Sequence, residues 1–195
     1  MTLSAILLAG GLSRRMGVDK ATMLFAGEPL WQRQLQVLHE LRPEALWVSA
    51  RSALPWCPPD TDVLVDQPPS RGPLSGLVAG LCRLKTSHLL VLAIDLPQMT
   101  SEHLHKLWGL ARPGVGVISF HDDRFEPLCA IYPTEALAAA EAALNSTDWS
   151  LQHFAQELIT QSRSQAYRLM PEEKHLYLNL NTPSDFPANK QAGGS

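Results

Sequence analysis

Hydrophobic residues in the first half of the chain occur in short unbroken runs that alternate with longer periodic ones. The short runs predict strands that are buried on both faces, and they lie at residues 4–8, 45–49, 62–65 and 88–94. The periodic runs predict helices at residues 29–41 and 74–84, and a third that starts near Ser101 with Thr100 or Ser101 as its N-cap. This alternation of strand and helix predicts an α/β fold with a mostly parallel central sheet covered on both faces.

The pattern is less regular in the second half of the chain. Strands are predicted at residues 115–120, 128–132 and 176–180, and helices at residues 135–144 and 151–158. Residues 52–60 contain three prolines and are predicted to form a loop. We find no internal repeat, and we interpret residues 1–188 as one domain followed by a flexible tail at residues 189–195.

Composition and charge argue against several classes of protein. With 45% hydrophobic and 18% charged residues the chain is globular, and its net charge of -3 argues against a nucleic-acid partner. Its three cysteines include no Cys-x-x-Cys pair, which favours reduced thiols in the cytoplasm over disulfides or a zinc site. No apolar stretch reaches the roughly 18 residues that span a bilayer, and the first residues lack a secretory signal pattern. We therefore expect a cytoplasmic protein with no membrane and no nucleic-acid partner.

The most informative segment is the loop after the first strand, where residues 8–20 have the sequence L-A-G-G-L-S-R-R-M-G-V-D-K. Open α/β sheets bind ligands outside the carboxyl ends of their strands, and Gly10 and Gly11 let the backbone approach a ligand closely. Arg14, Arg15 and Lys20 can neutralise phosphate oxygens. On these residues alone, a flexible surface loop explains the segment about equally well. Its spacing matches neither G-x-x-x-x-G-K-S/T nor G-x-G-x-x-G, which argues against ATPase and dehydrogenase functions.

The loop resembles the signature L-x-A-G-G-x-S-x-R-M-G-x-D-K of nucleotidyltransferases with the Rossmann-like fold of the nucleotide-diphospho-sugar transferase type. Further motifs extend the resemblance over most of the chain, in the order typical of the molybdenum cofactor guanylyltransferases within the molybdopterin nucleotidyltransferase family. These motifs are Glu28-Pro29-Leu30, Asp66, Gly72-Pro73-Leu74-Ser75-Gly76, Asp95-Leu96-Pro97, Pro127-Leu128-Cys129-Ala130 and Asn179-Leu180-Asn181-Thr182-Pro183. The resemblance implies a three-layer sandwich, with a nucleotide-binding half at about residues 1–100 and an acceptor-binding half at about residues 101–188.

The resemblance also implies a reaction. GMP passes from GTP to the phosphate of molybdenum-molybdopterin, with Mg²⁺, to give molybdopterin guanine dinucleotide and pyrophosphate, and the product goes to molybdoenzyme apo-proteins or their chaperones. Three alternatives stay open. They are a cytidylyl- or sugar-phosphate nucleotidyltransferase, a nucleotide-binding assembly factor without catalytic activity, and a scaffold whose glycine loop is structural.

Arg15, Lys20 and Asp95 are the candidates for catalysis. Asp95 directly follows a predicted central strand, and a carboxylate there suits magnesium, which takes one or two carboxylates and completes its shell with water and phosphate oxygens. An Asp in a loop can also serve only to accept hydrogen bonds from turn amides. We predict Asp95 as the metal ligand, and Arg15 and Lys20 as the cations that meet the phosphates.

The substrate contacts implied by the resemblance are spread along the chain. The nucleotide-binding set comprises Leu8, Ala9, Gly10, Gly11, Lys20, Ser49, Asp66 and Asp95. Ser49 and Asp66 follow predicted strands and are implied near the base and ribose; some relatives have asparagine where this chain has Ser49, and an ordinary strand-end hydroxyl explains Ser49 equally well. Asn179 and Asn181 are the acceptor-binding candidates, although an Asx turn explains Asn181 almost as well.

Overall fold

Seven strands form the central sheet of the computed structural model, which describes residues 1–10, 19–52, 54–66 and 69–180. In chain order the strands are β1 (Leu3–Leu8), β2 (Leu24–Phe25), β3 (Glu28–Pro29), β4 (Leu46–Ala50), β5 (Asp62–Val65), β6 (His88–Ala93), β7 (Gly116–His121), β8 (Arg124–Pro133) and β9 (Ser164–Arg168). The α-helices are α1 (Leu30–Glu40), α2 (Pro73–Arg83), α3 (Ser101–Leu110), α4 (Leu137–Asn145) and α5 (Leu151–Thr160). Short 3₁₀ helices cover Lys20–Thr22, Thr134–Ala136 and Pro171–Tyr177.

The strand order across the central sheet is β5-β4-β1-β6-β8-β7-β9, and β2 and β3 pair as a separate hairpin. β8 runs antiparallel to both of its neighbours, whereas every other pair in this sheet is parallel. Six strands therefore end at the same edge of the sheet, and β8 begins there. We call this the carboxyl edge; the part of it from β5 to β8 is formed by the ends of four strands and the start of β8, at Leu8, Ala50, Val65, Ala93 and Arg124.

Two hydrophobic cores cover the two faces of the sheet. Every residue of β1 and of β6 is buried, and alternate residues of β6 enter opposite cores. Leu90 and Leu92 pack with α1, α3 and the segment around Tyr177, whereas Leu89 and Val91 pack with α2, α4 and α5. This double coverage explains why the central strands are continuously apolar.

The predicted fold class is confirmed: the chain forms an α/β three-layer sandwich around a mostly parallel sheet. The predicted strands and helices of the first half occur with bounds that differ by one or two residues. Thr100 is the N-cap of α3, and its side-chain oxygen accepts a hydrogen bond from the His103 amide at 3.3 Å. Within the described ranges, no helix combines the length and the apolar character needed to cross a membrane.

The strand predicted at residues 176–180 is wrong. The chain there leaves the 3₁₀ helix Pro171–Tyr177, whose first residue is a proline suited to a helix start, and continues without strand pairing to residue 180. The buried residues here are Leu176, Tyr177 and Leu180, and Leu178 is 57% exposed. Two adjacent buried residues and a third one turn later are typical of a helical turn, whereas a strand would alternate buried and exposed residues. The last strand is instead β9, which pairs in parallel with β7.

Candidate active site

The backbone just beyond β1, β5 and β6 is tied to the neighbouring strands at the carboxyl edge. The Ala9 amide donates to the Ser49 carbonyl at 2.9 Å, the Asp66 amide to the Ala50 carbonyl at 2.8 Å, and the Ile94 amide to the Leu8 carbonyl at 3.1 Å. These bonds extend the sheet pairing by one residue past the strand ends. The first residues of the loops are therefore held in place, and polar side chains on them occupy defined positions.

Lys20 and Asp95 meet at this edge, although 75 positions separate them in the sequence. The Lys20 Nζ atom lies 3.3 Å from Asp95 Oδ2, and the two side chains are 16% and 24% exposed. Lys20 extends from the short 3₁₀ helix Lys20–Thr22, and Asp95 follows β6 after Ile94. The pair puts a cation and a carboxylate side by side, in partial contact with solvent, at the end of the central strand.

Ser49 and Asp66 form a second polar pair at the edge. The Ser49 hydroxyl donates to Asp66 Oδ1 at 3.2 Å, and the Ser70 hydroxyl donates to Asp66 Oδ2 at 2.8 Å. Ser49 lies inside β4, one residue before its end, rather than after the strand. Ser49 is 3% exposed and Asp66 is 9% exposed, so both are buried, and the Ser49 hydroxyl orients the Asp66 carboxylate.

The start of α2 packs directly against this pair. Gly72 precedes the helix with a φ of 68°, a conformation that glycine adopts readily, and Pro73 is its first residue. A Cβ atom on Gly76 would lie 2.4 Å from the Ser49 Oγ and 2.8 Å from Leu8 Cδ2. Glycine at this position therefore lets α2 approach the ends of β1 and β4.

Residues from the second half of the chain approach Asp95 from the side of β8. The Leu180 amide donates to the Asp95 backbone carbonyl at 3.1 Å, which brings the neighbouring residue Asn179 to the edge. Glu126, near the start of β8, pairs with His121 at 2.9 Å. Burial raises the pKa of Glu126, the nearby Asp95 charge adds to this rise, and His121 opposes it. The acceptor-binding candidate Asn179 is thus next in sequence to a residue bonded to Asp95, and Glu126 is close enough to respond to the Asp95 charge.

The donor set around Asp95 fits a magnesium ion that binds together with phosphate. Among the described residues, no group of three or more His, Cys, Asp or Glu side chains is arranged to hold a metal by itself. Mg²⁺ does not require such a group, because it commonly uses one or two carboxylates and takes its other ligands from water and substrate phosphates. Asp95, partly exposed and beside a lysine, supplies one carboxylate of this kind.

The structure brings together most of the residues predicted from the sequence. Leu8, Ala9, Gly10, Lys20, Ser49, Asp66 and Asp95 lie at or next to the carboxyl edge. Gly11, Arg15 and Asn181 lie outside the described residues. Two contacts were not expected from the sequence: the Ser70 hydroxyl donates to Asp66, four positions earlier, and the Trp56 indole donates to Asp19, 37 positions away.

Comparisons with known proteins agree with this geometry. Residues 5–163 match the family model of the MobA-like NTP transferase domain. A probable molybdenum cofactor guanylyltransferase of Opitutus terrae is 37% identical, over 94% of this chain and 92% of the relative. The molybdenum cofactor guanylyltransferase of Pseudomonas fluorescens is 32% identical, over 92% and 90% of the two chains. The solved structure of molybdopterin-guanine dinucleotide biosynthesis protein A from Archaeoglobus fulgidus is similar in fold, with a TM-score of 0.70, 22% identity, and coverage of 93% and 94%.

Proposed function

This chain belongs to the family of MobA-like NTP transferase domains, and from that premise we propose that it transfers GMP from GTP to the terminal phosphate of molybdopterin. The observation that carries the proposal is the Lys20–Asp95 pair at the carboxyl edge of a chain from this family. The product is molybdopterin guanine dinucleotide, and we infer that it passes to molybdoenzyme apo-proteins or their chaperones. The free thiols of Cys57, Cys82 and Cys129 support a cytoplasmic setting for the reaction.

The proposed reaction is an in-line displacement at the α-phosphorus of GTP. An oxygen of the acceptor phosphate forms a bond to this phosphorus, the bond to the bridging oxygen of the β-phosphate breaks, and pyrophosphate leaves with the electron pair. The attacking phosphate is already anionic at neutral pH, so the reaction needs no general base. The protein must instead neutralise charge and align the two substrates.

The residues at the edge supply charges of both signs for this task. We propose that Asp95 holds Mg²⁺, which when bound neutralises phosphate charge. Lys20, within 3.3 Å of Asp95, would then donate to phosphate oxygens in the same place. Gly10, through its backbone amide, and the residues Gly11 and Arg15 complete the phosphate contacts in this proposal. We propose that Asn179 orients the acceptor, which is supported by the bond from the amide of the next residue, Leu180, to the Asp95 carbonyl.

The base site in this proposal centres on Asp66. A carboxylate only accepts hydrogen bonds, and guanine presents a ring N–H and an amino group side by side as donors. Ser49 and Ser70 each donate to one Asp66 oxygen, so they fix the plane of the carboxylate and leave lone pairs free. We therefore propose that Ser49 acts on the nucleotide through Asp66. This arrangement suits guanine better than a base with an acceptor at the corresponding edge.

A nucleotide-by-acceptor screen tests the proposed function. Wild-type protein is incubated with Mg²⁺, each of GTP, ATP, CTP and UTP, and either molybdopterin or a set of sugar phosphates, and pyrophosphate is measured. We expect pyrophosphate only with GTP and molybdopterin. Release with CTP or with a sugar phosphate would assign the chain to another nucleotidyltransferase reaction. Nucleotide binding without pyrophosphate under any condition would favour an assembly factor.

A further inference from the structure

Asp19 connects two segments that are far apart in the sequence. Its Oδ2 atom accepts a hydrogen bond from the Trp56 indole N–H at 2.7 Å, and its Oδ1 atom accepts one from the Ala21 amide at 3.0 Å. Trp56 belongs to the loop between β4 and β5, whereas Ala21 belongs to the 3₁₀ helix that carries Lys20. The two oxygens of one carboxylate thus join the loop to the turn from which the Lys20 side chain reaches Asp95.

The 3₁₀ turn that carries Lys20 is also held by contacts other than the Asp19 carboxylate. Ala21 is 1% exposed and packs into the core beneath α1. The Thr22 hydroxyl donates to the Asp19 carbonyl at 2.9 Å, and the Met23 amide donates to the Lys20 carbonyl at 3.1 Å. With its backbone held in this way, the remaining freedom of Lys20 lies mainly in its four-carbon side chain.

Trp56 is itself held in place by packing. Its ring stacks on Trp31 of α1, with ring centroids 5.7 Å apart and planes inclined by 21°. Leu54, Trp56 and Cys57 pack against the core, and the Cys57 amide donates to the Leu54 carbonyl at 3.1 Å. The prolines of this loop reduce its freedom further. The indole N–H is therefore presented to Asp19 from a fixed position.

We propose that Trp56 is a positioning residue for nucleotidyl transfer, acting through Asp19 to hold the Lys20 ammonium at Asp95. The inference rests on the proposed role of Lys20. A hydrogen bond to a carboxylate is stronger than one between neutral groups, and small displacements of a catalytic group reduce turnover greatly. Because Asp19 is exposed, we expect the loss of its Trp56 bond to lower kcat by about 10-fold rather than to abolish activity.

The Trp56→Phe variant tests the proposal, because it keeps an aromatic ring against Trp31 but removes the indole N–H. We expect kcat to fall by about 10-fold, with the nucleotide Kd and the melting temperature close to wild type. Trp31→Phe is the matched control, since it changes the same stack but leaves the Trp56–Asp19 bond, and its kcat should stay within about twofold of wild type. If Trp56→Phe does not fold, Asp19→Asn gives the same test, because one side-chain oxygen can still accept from Ala21 while an amide replaces the acceptor for Trp56.

A double-mutant cycle with Lys20 shows whether Trp56→Phe lowers kcat by displacing Lys20 or by disturbing the structure in general. In a Lys20→Ala background, Trp56→Phe should cause no further loss of kcat, because the group that it positions is gone. The same loss in both backgrounds, or unchanged kcat in Trp56→Phe alone, would overturn the proposal. A second readout does not depend on turnover: Lys20 should be acylated faster in Trp56→Phe than in wild type, with exposed Lys85 as internal reference. Equal Lys20 labelling would also overturn it.

The proposed function can fail separately from this inference. If wild-type protein releases no pyrophosphate with GTP and molybdopterin, the proposed substrates are wrong. The double-mutant cycle is then run with the nucleotide and acceptor that do support turnover. The comparison of Lys20 acylation remains valid with any substrate, because it does not depend on turnover.

Discussion

Asp95 and Lys20 are the residues on which the proposed chemistry depends most. Each compensates the charge of the other in the absence of substrate, at a separation of 3.3 Å. In the proposed reaction, GTP would bring several negative charges to the same place, so that Lys20 would pair with phosphate oxygens and Asp95 would bind a cation together with them. Replacing Asp95 and replacing Lys20 should therefore have different effects on kcat, on nucleotide binding and on the dependence on magnesium.

Asp95→Asn should leave a folded protein with a nearly normal melting temperature and lower kcat by on the order of 100-fold. The amide is almost the same size, and the backbone carbonyl that Leu180 contacts is unchanged. The neutral oxygen, however, holds Mg²⁺ much less well, so higher magnesium should restore part of the activity. Asp62→Asn is the matched control, since it breaks the exposed ion pair with Arg83 away from the site. Wild-type kcat at ordinary magnesium would contradict the metal assignment, and an unfolded variant would favour a turn-capping role for Asp95.

Lys20→Ala should lower kcat by more than it raises the Kd for GTP. The reason is that negative charge on the leaving pyrophosphate grows as the bond to it breaks, so a cation there stabilises the transition state more than the bound substrate. Steady-state kinetics and equilibrium titration of the same preparation give both quantities. Lys85→Ala, at an exposed position after α2, serves as control. A higher Kd with unchanged kcat would make Lys20 a binding residue only.

Among the secondary-structure elements, α2 packs against the proposed nucleotide site through Gly76, which faces Ser49 and Leu8. Gly76→Ala should destabilise the protein by about 1–3 kcal/mol, because the new methyl group would lie 2.4 Å from the Ser49 Oγ and 2.8 Å from Leu8 Cδ2. It should also weaken GTP binding, since α2 or Ser49 must shift. Urea unfolding and nucleotide titration measure the two effects.

Gly109→Ala is the control for this substitution. Gly109 lies in α3, and a Cβ atom there would meet nothing within 4 Å. Alanine is the better helix former, so this variant should be stabilised by about 0.5–1 kcal/mol. If both substitutions change the free energy of unfolding by similar amounts, close packing around Gly76 is not the reason for glycine at that position.

The elements that could be predicted from the sequence are those whose burial leaves a clear pattern. β1 and β6 are covered on both faces and are therefore continuously apolar. β9 escaped prediction because it is the last strand of the sheet and has the mostly polar sequence S-Q-A-Y-R. The hairpin of β2 and β3 was missed because each strand has two residues and its turn, Ala26-Gly27, is not a strong hairpin signal.

The residues of the candidate site also divide into those that the sequence pattern locates and those that only the structure reveals. Asp66 and Asp95 could be identified because they lie one and two residues after a strand end, and sheet topology then brings such positions to one edge. The hydrogen bond of Asp19 with Trp56 could not, because it joins two segments that lie 37 positions apart. The bond of Asp66 with Ser70 could not either, because no strand or helix pattern fixes the Ser70 hydroxyl relative to Asp66, four positions earlier. Sequence pattern thus locates the chemical groups, whereas the structure shows which groups orient them.

At the scale of the whole molecule, two buried histidines predict how stability depends on pH. Burial lowers the pKa of His88, although hydrogen bonds to the carbonyls of Val115 and Arg112 oppose this, and burial lowers the pKa of His103, which Glu173 opposes. As pH falls below about 6.5, the unfolded chain binds protons that the folded chain does not, so the free energy of unfolding falls. The slope is at most about 1.4 kcal/mol per pH unit for each histidine.

Urea unfolding between pH 7.5 and roughly 5.5 measures this slope, within the range where histidine titrates. His103→Gln should make the slope shallower, whatever it does to stability at pH 7.5. His105→Gln is the control, because His105 lies on the same helix but is exposed, and its slope should equal that of wild type. A wild-type free energy of unfolding that stays constant over this range would show that neither buried histidine resists protonation.

Ligand binding also acts on the stability of the whole molecule. GTP with Mg²⁺ should raise the melting temperature more than ATP, CTP or UTP at the same concentration, because a ligand that binds only the folded state stabilises it by RT ln(1 + [L]/Kd), which is larger for the nucleotide with the lower Kd. At 100 times its Kd, GTP adds about 2.7 kcal/mol, which corresponds to roughly 5–10 °C for a chain of this size. Equal shifts for the four nucleotides would contradict guanine selectivity, and a larger shift with CTP would favour a cytidylyltransferase.

The Asp66→Asn variant uses the same nucleotide-induced shifts in melting temperature to test the proposed base site. Asparagine keeps the size of the side chain, but its amide can place a donor where guanine also presents donors. The shift with GTP should therefore fall towards the shifts of the other nucleotides, while those change little, because the proposed phosphate-binding residues Lys20 and Asp95 are unchanged in the variant. The melting temperature of the variant without ligand provides the baseline, since Ser49 and Ser70 lose a charged acceptor. If Asp66→Asn lowers all four shifts equally, Asp66 supports the fold of the site but does not select the base.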